Sequence, residues 1–206
     1  MRMRISWLLV ILGLSLGLVW AQEKAAGQKD AGKAPAAAGK KSAPPDMTAK
    51  QSPEMAKLAK MLVGTWVVDE KFEASELGPA ATGKGTELVR AGPAGNSLIA
   101  DFKARSTMGP FSGHGVIWWD AKTGIYRSLW CDSEGPGGCD AGATGKWEGN
   151  DLVFTANVEM PGPKGVIKMK MRQVYSEVKP ASFTFYIDSS INAGAMKRMM
   201  TLKYKK

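Results

Sequence analysis

The pattern of apolar and polar residues changes at Gly64 and has a period of two from there to the end of the chain. Apolar and polar residues alternate in short runs, and Gly, Pro, Asn and Asp separate one run from the next. Alternation of this kind predicts β-strands that bury one face in a core. The predicted strands span residues 65–74, 84–91, 96–105, 111–119, 125–132, 139–147, 151–159, 164–178, 182–188 and 196–205.

The predicted strands are joined by short connections, such as 120–124, 148–150 and 179–181. Connections of a few residues pair neighbouring strands antiparallel. A meander of strands that closes on itself leaves no exposed edge. The sequence therefore predicts an all-β fold, an antiparallel up-and-down barrel of about ten strands.

One short helix is predicted before the first strand. Ser52 is placed to cap the helix, Pro53 suits its first position, and Glu54 lies near the positive end of the helix dipole. Apolar residues then recur at helical spacing, at Met55, Leu58, Ala59 and Leu62. We expect a helix of about ten residues that Gly64 ends.

Several predicted strands show which of their faces belongs to the core. In 151–159 the apolar side carries Leu152, Phe154, Ala156 and Val158. In 182–188 it carries Phe183, Phe185 and Ile187. The strand from 164 sets its apolar residues against Lys168, Lys170 and Arg172, so its outer face is expected to lie in water.

The N-terminus has the three-part layout of a secretory signal. Arg2 and Arg4 precede an uncharged run from 5 to 20, and small residues stand before a cut after Ala21. The run is shorter than the roughly 20 residues of a transmembrane helix. We predict a signal peptide over 1–21 and an exported protein, periplasmic or secreted, with an uncleaved signal anchor as the alternative.

Residues 22–50 are rich in Ala, Gly, Lys and Pro, with Met47 as their one large apolar residue. Such a segment buries too little surface to offset its ordering entropy, which predicts a disordered linker and places the folded domain at 51–206. The chain has a formal net charge of +9 at pH 7, but its basic residues are spread out. We expect no nucleic-acid partner, and at most weak association of the linker with anionic membrane or cell-wall surfaces.

The two cysteines, Cys131 and Cys139, stand at the ends of a turn-rich segment between two predicted strands. In an exported chain the simplest interpretation is a disulfide across this hairpin. Metal ligation is the alternative, but one histidine and two cysteines make a poor ligand set. We therefore predict a disulfide and no metal site.

His114 is the single histidine, and it shares one side of its strand with Val116 and Trp118. The opposite side carries Ile117 and Trp119 among others, so both faces of the strand are apolar. The structural interpretation is a hydrogen-bonded histidine inside the barrel or at its rim. The functional one is a histidine that binds a ligand or haem, because the flanking glycines let a flat molecule approach the backbone.

The next strand carries Tyr126, Ser128, Trp130 and Asp132 on one face. If this face points inward, it builds an aromatic cavity with a carboxylate at its mouth, the usual composition of a small-molecule site. Otherwise Trp130 is ordinary core and Asp132 begins the turn. With the preceding strand, the predicted ligand-binding residues are His114, Trp118, Trp130 and Asp132.

Two sequence blocks carry a family resemblance. Gly64, Thr65 and Trp66 look like the Gly-x-Trp signature that opens the first strand of lipocalins. Residues 113–120, GHGVIWWD, and 126–133, YRSLWCDS, resemble the Gly-x-Gly-x-x-Gly-Tyr-Asp and Tyr-x-x-Thr-Trp-x-Asp-Ser blocks of the bacterial domain of unknown function 1579 family. The resemblance runs from about Ser52 to Lys206 and implies a lipocalin-like barrel with no established activity.

The chain departs from that family's pattern at several positions. Trp118 and Trp119 replace Gly and Tyr, Tyr186 stands where an acid is usual, and Lys206 takes the place of a closing arginine. In lipocalins that arginine packs on the Trp of the first strand. The substitution by lysine leaves open whether this closure is present.

Three functions fit the sequence. The leading hypothesis is a non-enzymatic barrel that binds a small apolar or flat ligand. The alternatives are a barrel enzyme that uses His114 and Asp132 as acid and base, and a structural module with a filled core. The volume inside the barrel separates the third from the others, and the sequence indicates no particular cofactor.

Overall fold

The computed structural model describes residues 50–206, apart from 77, 136–137 and 163–164. The predicted signal peptide and the predicted linker as far as residue 49 lie outside the described residues. Within the described residues the chain forms a helix, ten strands and a short 3-10 turn at Pro93–Gly95. The elements are α1 (Pro53–Leu62), β1 (Gly64–Phe72), β2 (Ala81–Ala91), β3 (Ser97–Ser106), β4 (Gly109–Asp120), β5 (Ile125–Asp132), β6 (Cys139–Glu148), β7 (Asp151–Gly162), β8 (Gly165–Lys179), β9 (Ser182–Ile191) and β10 (Lys197–Lys205).

The ten strands form a closed barrel in which each strand pairs antiparallel with the next in sequence. The last strand returns to the first, and β1 pairs with β10 from Val67 opposite Lys205 to Phe72 opposite Met200. Closure pairs the strand edges with each other instead of leaving them exposed. The predicted barrel, its strand number and its up-and-down order are confirmed.

Helix α1 begins as the sequence predicts. The Ser52 hydroxyl accepts a hydrogen bond from the Met55 amide at 3.1 Å, and Pro53 occupies the first turn. Leu62 ends the helix, and Gly64 begins β1 with a φ of 150°, a backbone conformation that glycine adopts readily. The apolar face of α1, which carries Met55, Leu58 and Leu62, is buried.

The side chains that point inward alternate with outward ones along each strand, so the core lies inside the barrel. The predicted inward faces of β7 and β9 are confirmed, because Leu152, Phe154 and Phe183 are buried in the core. The same holds for the inward face of β8, which carries Met171 and Tyr175. On β4, however, the inward face is the one with Gly115 and Ile117, and this decides where the site residues lie.

Candidate ligand-binding cavity

The interior of the barrel is not filled, and a cavity of about 390 Å³ remains between the strands. Its wall is mostly apolar and aromatic. The large side chains that line it include Phe72, Phe102, Phe111, Ile117, Trp130, Phe154, Met171, Tyr175, Phe183, Phe185, Met200 and Leu202. Volume and lining both fall in the range of small-molecule sites.

One end of the barrel is closed by α1. The indole N–H of Trp66 donates a hydrogen bond to the Leu62 carbonyl at 2.8 Å, which ties the base of β1 to the helix end. The Tyr126 hydroxyl donates to the Glu54 carbonyl at 3.2 Å and ties β5 to the helix start. Because Leu62 also lines the cavity, the helix forms the floor of the cavity.

The opposite end of the barrel is the mouth of the cavity. The lining there reaches the β3–β4 turn at Met108, the β5–β6 connection at Glu134 and the start of β6 at Asp140. These residues are exposed, and Met108 has a relative exposure of 52%. A ligand therefore reaches the cavity from this end.

Trp130 forms part of the wall because two glycines on the neighbouring strand make room for its ring. A Cβ on Gly113 would collide with the indole, and one on Gly115 would press against it. Both glycines lie on the inward face of β4, opposite Asp132 and Trp130 in the strand register. The glycines that flank His114 thus accommodate a tryptophan of the same chain.

Asp132 also lies on the cavity wall, but its carboxylate is occupied. One oxygen accepts a hydrogen bond from the Trp130 indole at 3.0 Å. The other accepts from the Glu134 amide at 2.9 Å and the Gly135 amide at 2.6 Å. Asp132 therefore fixes both the Trp130 ring and the start of the connection at the mouth, as the turn interpretation of the sequence expects.

The predicted disulfide between Cys131 and Cys139 is present and closes the same connection. Its two cysteines are paired across β5 and β6 in the strand register. The disulfide joins the end of β5 to the start of β6, on either side of the connection between them. The rim of the mouth is therefore held by a covalent bond as well as by Asp132.

His114 and Trp118 lie on the outer face of the barrel, so the prediction that they line the cavity is wrong. His114 has a side-chain exposure of 46%, and its Nδ1 lies 2.7 Å from Oδ1 of Asp101 on β3. Arg90 of β2 contacts the same carboxylate at 3.3 Å. The error has a physical reason: both faces of β4 are apolar, and alternation alone does not say which one points inward.

The structure thus divides the four predicted ligand-binding residues into two pairs. Trp130 and Asp132 are on the cavity wall, and their role in binding stays a prediction. His114 and Trp118 are outside, so His114 faces away from any ligand or haem that the barrel would hold. His114 and Asp132 point to opposite sides of the same wall, since His114 lies opposite Cys131 and Gly113 lies opposite Asp132.

Two buried acids on the cavity wall were missed by sequence reasoning. Glu70 on β1 and Glu87 on β2 have relative exposures of 6% and 9%. Each occupies the inward face of its strand, in line with Trp66 and Val68 on β1 and with Val89 on β2. The sequence does contain a signal for them, because each is an acidic residue at a position where the alternation of its strand calls for an apolar one.

Burial changes the protonation of the deeper acid. Desolvation raises the pKa of Glu87 to about 7, and a hydrogen bond from the Tyr204 side chain opposes part of this effect. The same surroundings raise the pKa values of Tyr204 and Tyr175 above their ordinary range, through burial first and the charge of Glu87 second. The inner part of the cavity thus holds one titrating carboxyl among neutral phenols near pH 7.

The described residues contain no group of three or more His, Cys, Asp or Glu side chains placed to hold a metal ion. Neither do they include a helix that is both long and apolar enough to cross a membrane.

The fold and the cavity define a closed antiparallel β-barrel with a helix across one end and an apolar interior cavity. The sequence matches the family described as "Protein of unknown function (DUF1579)" over residues 50–206, and the chain belongs to that family. The predicted family is thereby confirmed. No curated protein matches the chain.

Solved structures with a similar fold include Rv2717c from M. tuberculosis, with 8% sequence identity and a TM-score of 0.51 over 76% of this chain and 99% of that one. At this identity the likeness is one of fold alone. A de novo designed fluorescence-activating β-barrel is 15% identical with a TM-score of 0.39 over 72% of this chain and 95% of its own. The redesigned barrel mFAP0, bound to DFHBI, is 14% identical with a TM-score of 0.39 over 71% and 99%.

Proposed function

We propose that this protein binds a small, predominantly apolar molecule inside the barrel. The observation that carries the proposal is the cavity of about 390 Å³, with an apolar and aromatic wall and a few polar groups. Apolar lining provides affinity, and the few polar groups orient the ligand. A structural module with a filled core would leave no such volume.

The proposed function is ligand binding without catalysis. The alternative acid and base, His114 and Asp132, point to opposite sides of the barrel wall, and Asp132 already accepts three hydrogen bonds. One substrate could not contact both side chains. This geometry favours a binding protein over a His–Asp enzyme.

We also propose that the protein is exported and that residues 1–21 are removed. The Cys131–Cys139 disulfide supports export, because disulfides persist mainly in oxidising compartments. N-terminal sequencing of protein isolated from the producing cells is expected to begin at Gln22. Full-length chain confined to the membrane fraction would contradict this proposal.

Filling the cavity tests the proposed function. Met171 lines the cavity, whereas its neighbour Lys170 is on the exposed outer face of β8. We expect Met171→Trp to weaken binding of the neutral fluorescent dye N-phenyl-1-naphthylamine by about tenfold or more, which corresponds to about 1.4 kcal/mol. Lys170→Trp adds the same side chain outside the barrel and should leave the dye affinity unchanged.

A second pair guards against a variant that fails to fold. Ala100 lines the cavity from β3, and the adjacent Ile99 points outward. Ala100→Phe should weaken dye binding, and Ile99→Phe should not, with circular dichroism showing that each variant is folded. Wild-type affinity in both folded cavity-filling variants would contradict the proposed function.

A further inference from the structure

The charged residues around the cavity are of one sign. The domain from 51 to 206 has 20 basic and 16 acidic residues, a net charge of +4. Among the residues that the structure describes, however, no lysine, arginine or histidine lines the cavity. The charged lining residues are all acidic, at Glu70, Glu87, Asp132, Glu134 and Asp140. Carboxylates in a cleft with apolar walls concentrate a negative potential there.

Glu70 has a position inside the barrel that only a neighbouring glycine allows. It lies opposite Gly83 of β2, and Gly83 in turn lies opposite Ser106 at the end of β3, so the acid is near the mouth. A Cβ on Gly83 would collide with a carboxylate oxygen of Glu70. The missing side chain at Gly83 provides the space in which the Glu70 carboxylate lies against the wall.

No donor of the described residues is hydrogen-bonded to the Glu70 carboxylate, in contrast to the carboxylates of Asp132 and Glu87. Asp132 accepts three hydrogen bonds, and Glu87 has the Tyr204 hydroxyl. Burial alone raises the pKa of Glu70. The Glu70 residue is only 6% exposed, but its carboxylate oxygens are not among the fully buried atoms, so they are accessible from the cavity, and a cation or donor bound there would pair with them.

We propose that the cavity selects an apolar molecule with a cationic head group, such as an alkylammonium, and that Glu70 binds that head group near the mouth. This inference rests on the proposed function and names the ligand class. An ammonium supplies both the charge and the N–H donors that Glu70 lacks. The alkyl part of the molecule extends along the apolar wall toward the floor that α1 forms.

Three probes of equal chain length test the head group. Octylamine, 1-octanol and octanoate each have a linear chain of eight carbons and carry a cation, a neutral hydroxyl and an anion at pH 8. By calorimetry, we expect octylamine to bind about tenfold more tightly than 1-octanol, and octanoate to bind most weakly. Glu70→Gln keeps the shape of the side chain and removes its charge, so it should remove the preference for octylamine without weakening 1-octanol.

Asp69 provides the matched control. It is the neighbour of Glu70 on the outer face of β1, with Lys205 at 3.8 Å. Asp69→Asn removes the same charge from the chain and should leave all three affinities unchanged. Binding of 1-octanol or octanoate at least as tight as that of octylamine would overturn the inference, as would an amine preference that persists in Glu70→Gln.

The failure of this inference is distinguishable from the failure of the proposed function. If N-phenyl-1-naphthylamine binding responds to the cavity-filling variants and octylamine shows no preference, the cavity binds ligands but Glu70 does not select a cation. If neither the dye nor any octyl probe responds to those variants, both proposals are wrong.

Discussion

The ammonium of Lys206 lies 4.7 Å from the centre of the Trp66 ring, at the end of the barrel that α1 closes. Trp66 is fully buried, and its indole is bonded to the helix end. The substitution of a closing arginine by Lys206 left open whether a cation packs on Trp66, and the structure places the lysine ammonium over this ring.

This contact leads to the first prediction, on stability. Lys206→Ala removes the cation and the aliphatic stem beside Trp66, and should lower the free energy of unfolding by about 0.5–1 kcal/mol. Lys206→Arg should keep the stability of the wild type, because a guanidinium also packs on an aromatic face. Urea unfolding measures the change, with the exposed neighbour Lys205→Ala as control. Equal losses in Lys206→Ala and Lys205→Ala would show that the contact with Trp66 contributes nothing.

The second prediction concerns the glycines beneath Trp130. Gly113→Ala places a methyl group where the indole lies, so Trp130 or the strand must shift. We expect a loss of about 1–3 kcal/mol in the free energy of unfolding, the usual cost of overpacking. Gly78→Ala is the matched control, because a Cβ there meets nothing within 4 Å. A Gly113→Ala variant as stable as wild type would mean that the ring is not held against β4.

The third prediction is a pH dependence of stability due to Glu87. Its folded pKa is about 7, above the ordinary value of 4.5, so the folded protein holds the proton more tightly than the unfolded chain. Stability from this group is therefore present at low pH and lost as pH rises through about 7. Between pH 5 and pH 8 the loss should be about 2–3 kcal/mol.

Urea unfolding of wild type and Glu87→Gln at pH 5 and pH 8 isolates this contribution. The titratable groups that interact with Glu87 are Tyr204 and Tyr175, with Glu70 near Tyr204, and all three are common to both proteins. The stability difference between the two proteins should shift by about 2–3 kcal/mol in favour of Glu87→Gln at the higher pH. A difference that is constant with pH would show that Glu87 is not desolvated in the folded state.

The barrel was predictable because the signals for it are local. Short connections such as Glu148 to Asp151 specify antiparallel neighbours, and the single-sided alternation in β7 and β9 assigns their inward faces. The helix start is marked by Ser52 and Pro53 themselves. Each of these features depends on residues close together in sequence, and each is found in the structure as predicted.

The site was only partly predictable because it depends on facing residues of different strands. Trp130 and Asp132 share an alternating face, and this face is inward. The inward face of β4 is set by the ring of Trp130 over Gly113, a contact that no pattern within β4 contains. The acids were overlooked because their cavity position becomes evident only when β1 and β2 are placed around a common interior.

The most direct test of ligand binding in the barrel is methionine-methyl NMR during titration with N-phenyl-1-naphthylamine. Met171 and Met200 line the cavity, whereas Met196 is 44% exposed at the outer surface. With the methyl signals assigned by single Met-to-Leu substitutions, we expect the Met171 and Met200 signals to shift saturably, because the dye's rings lie beside these side chains, and the Met196 signal not to move. Unchanged Met171 and Met200 signals at a dye concentration that saturates the fluorescence, or a shift at Met196 alone, would contradict binding inside the barrel.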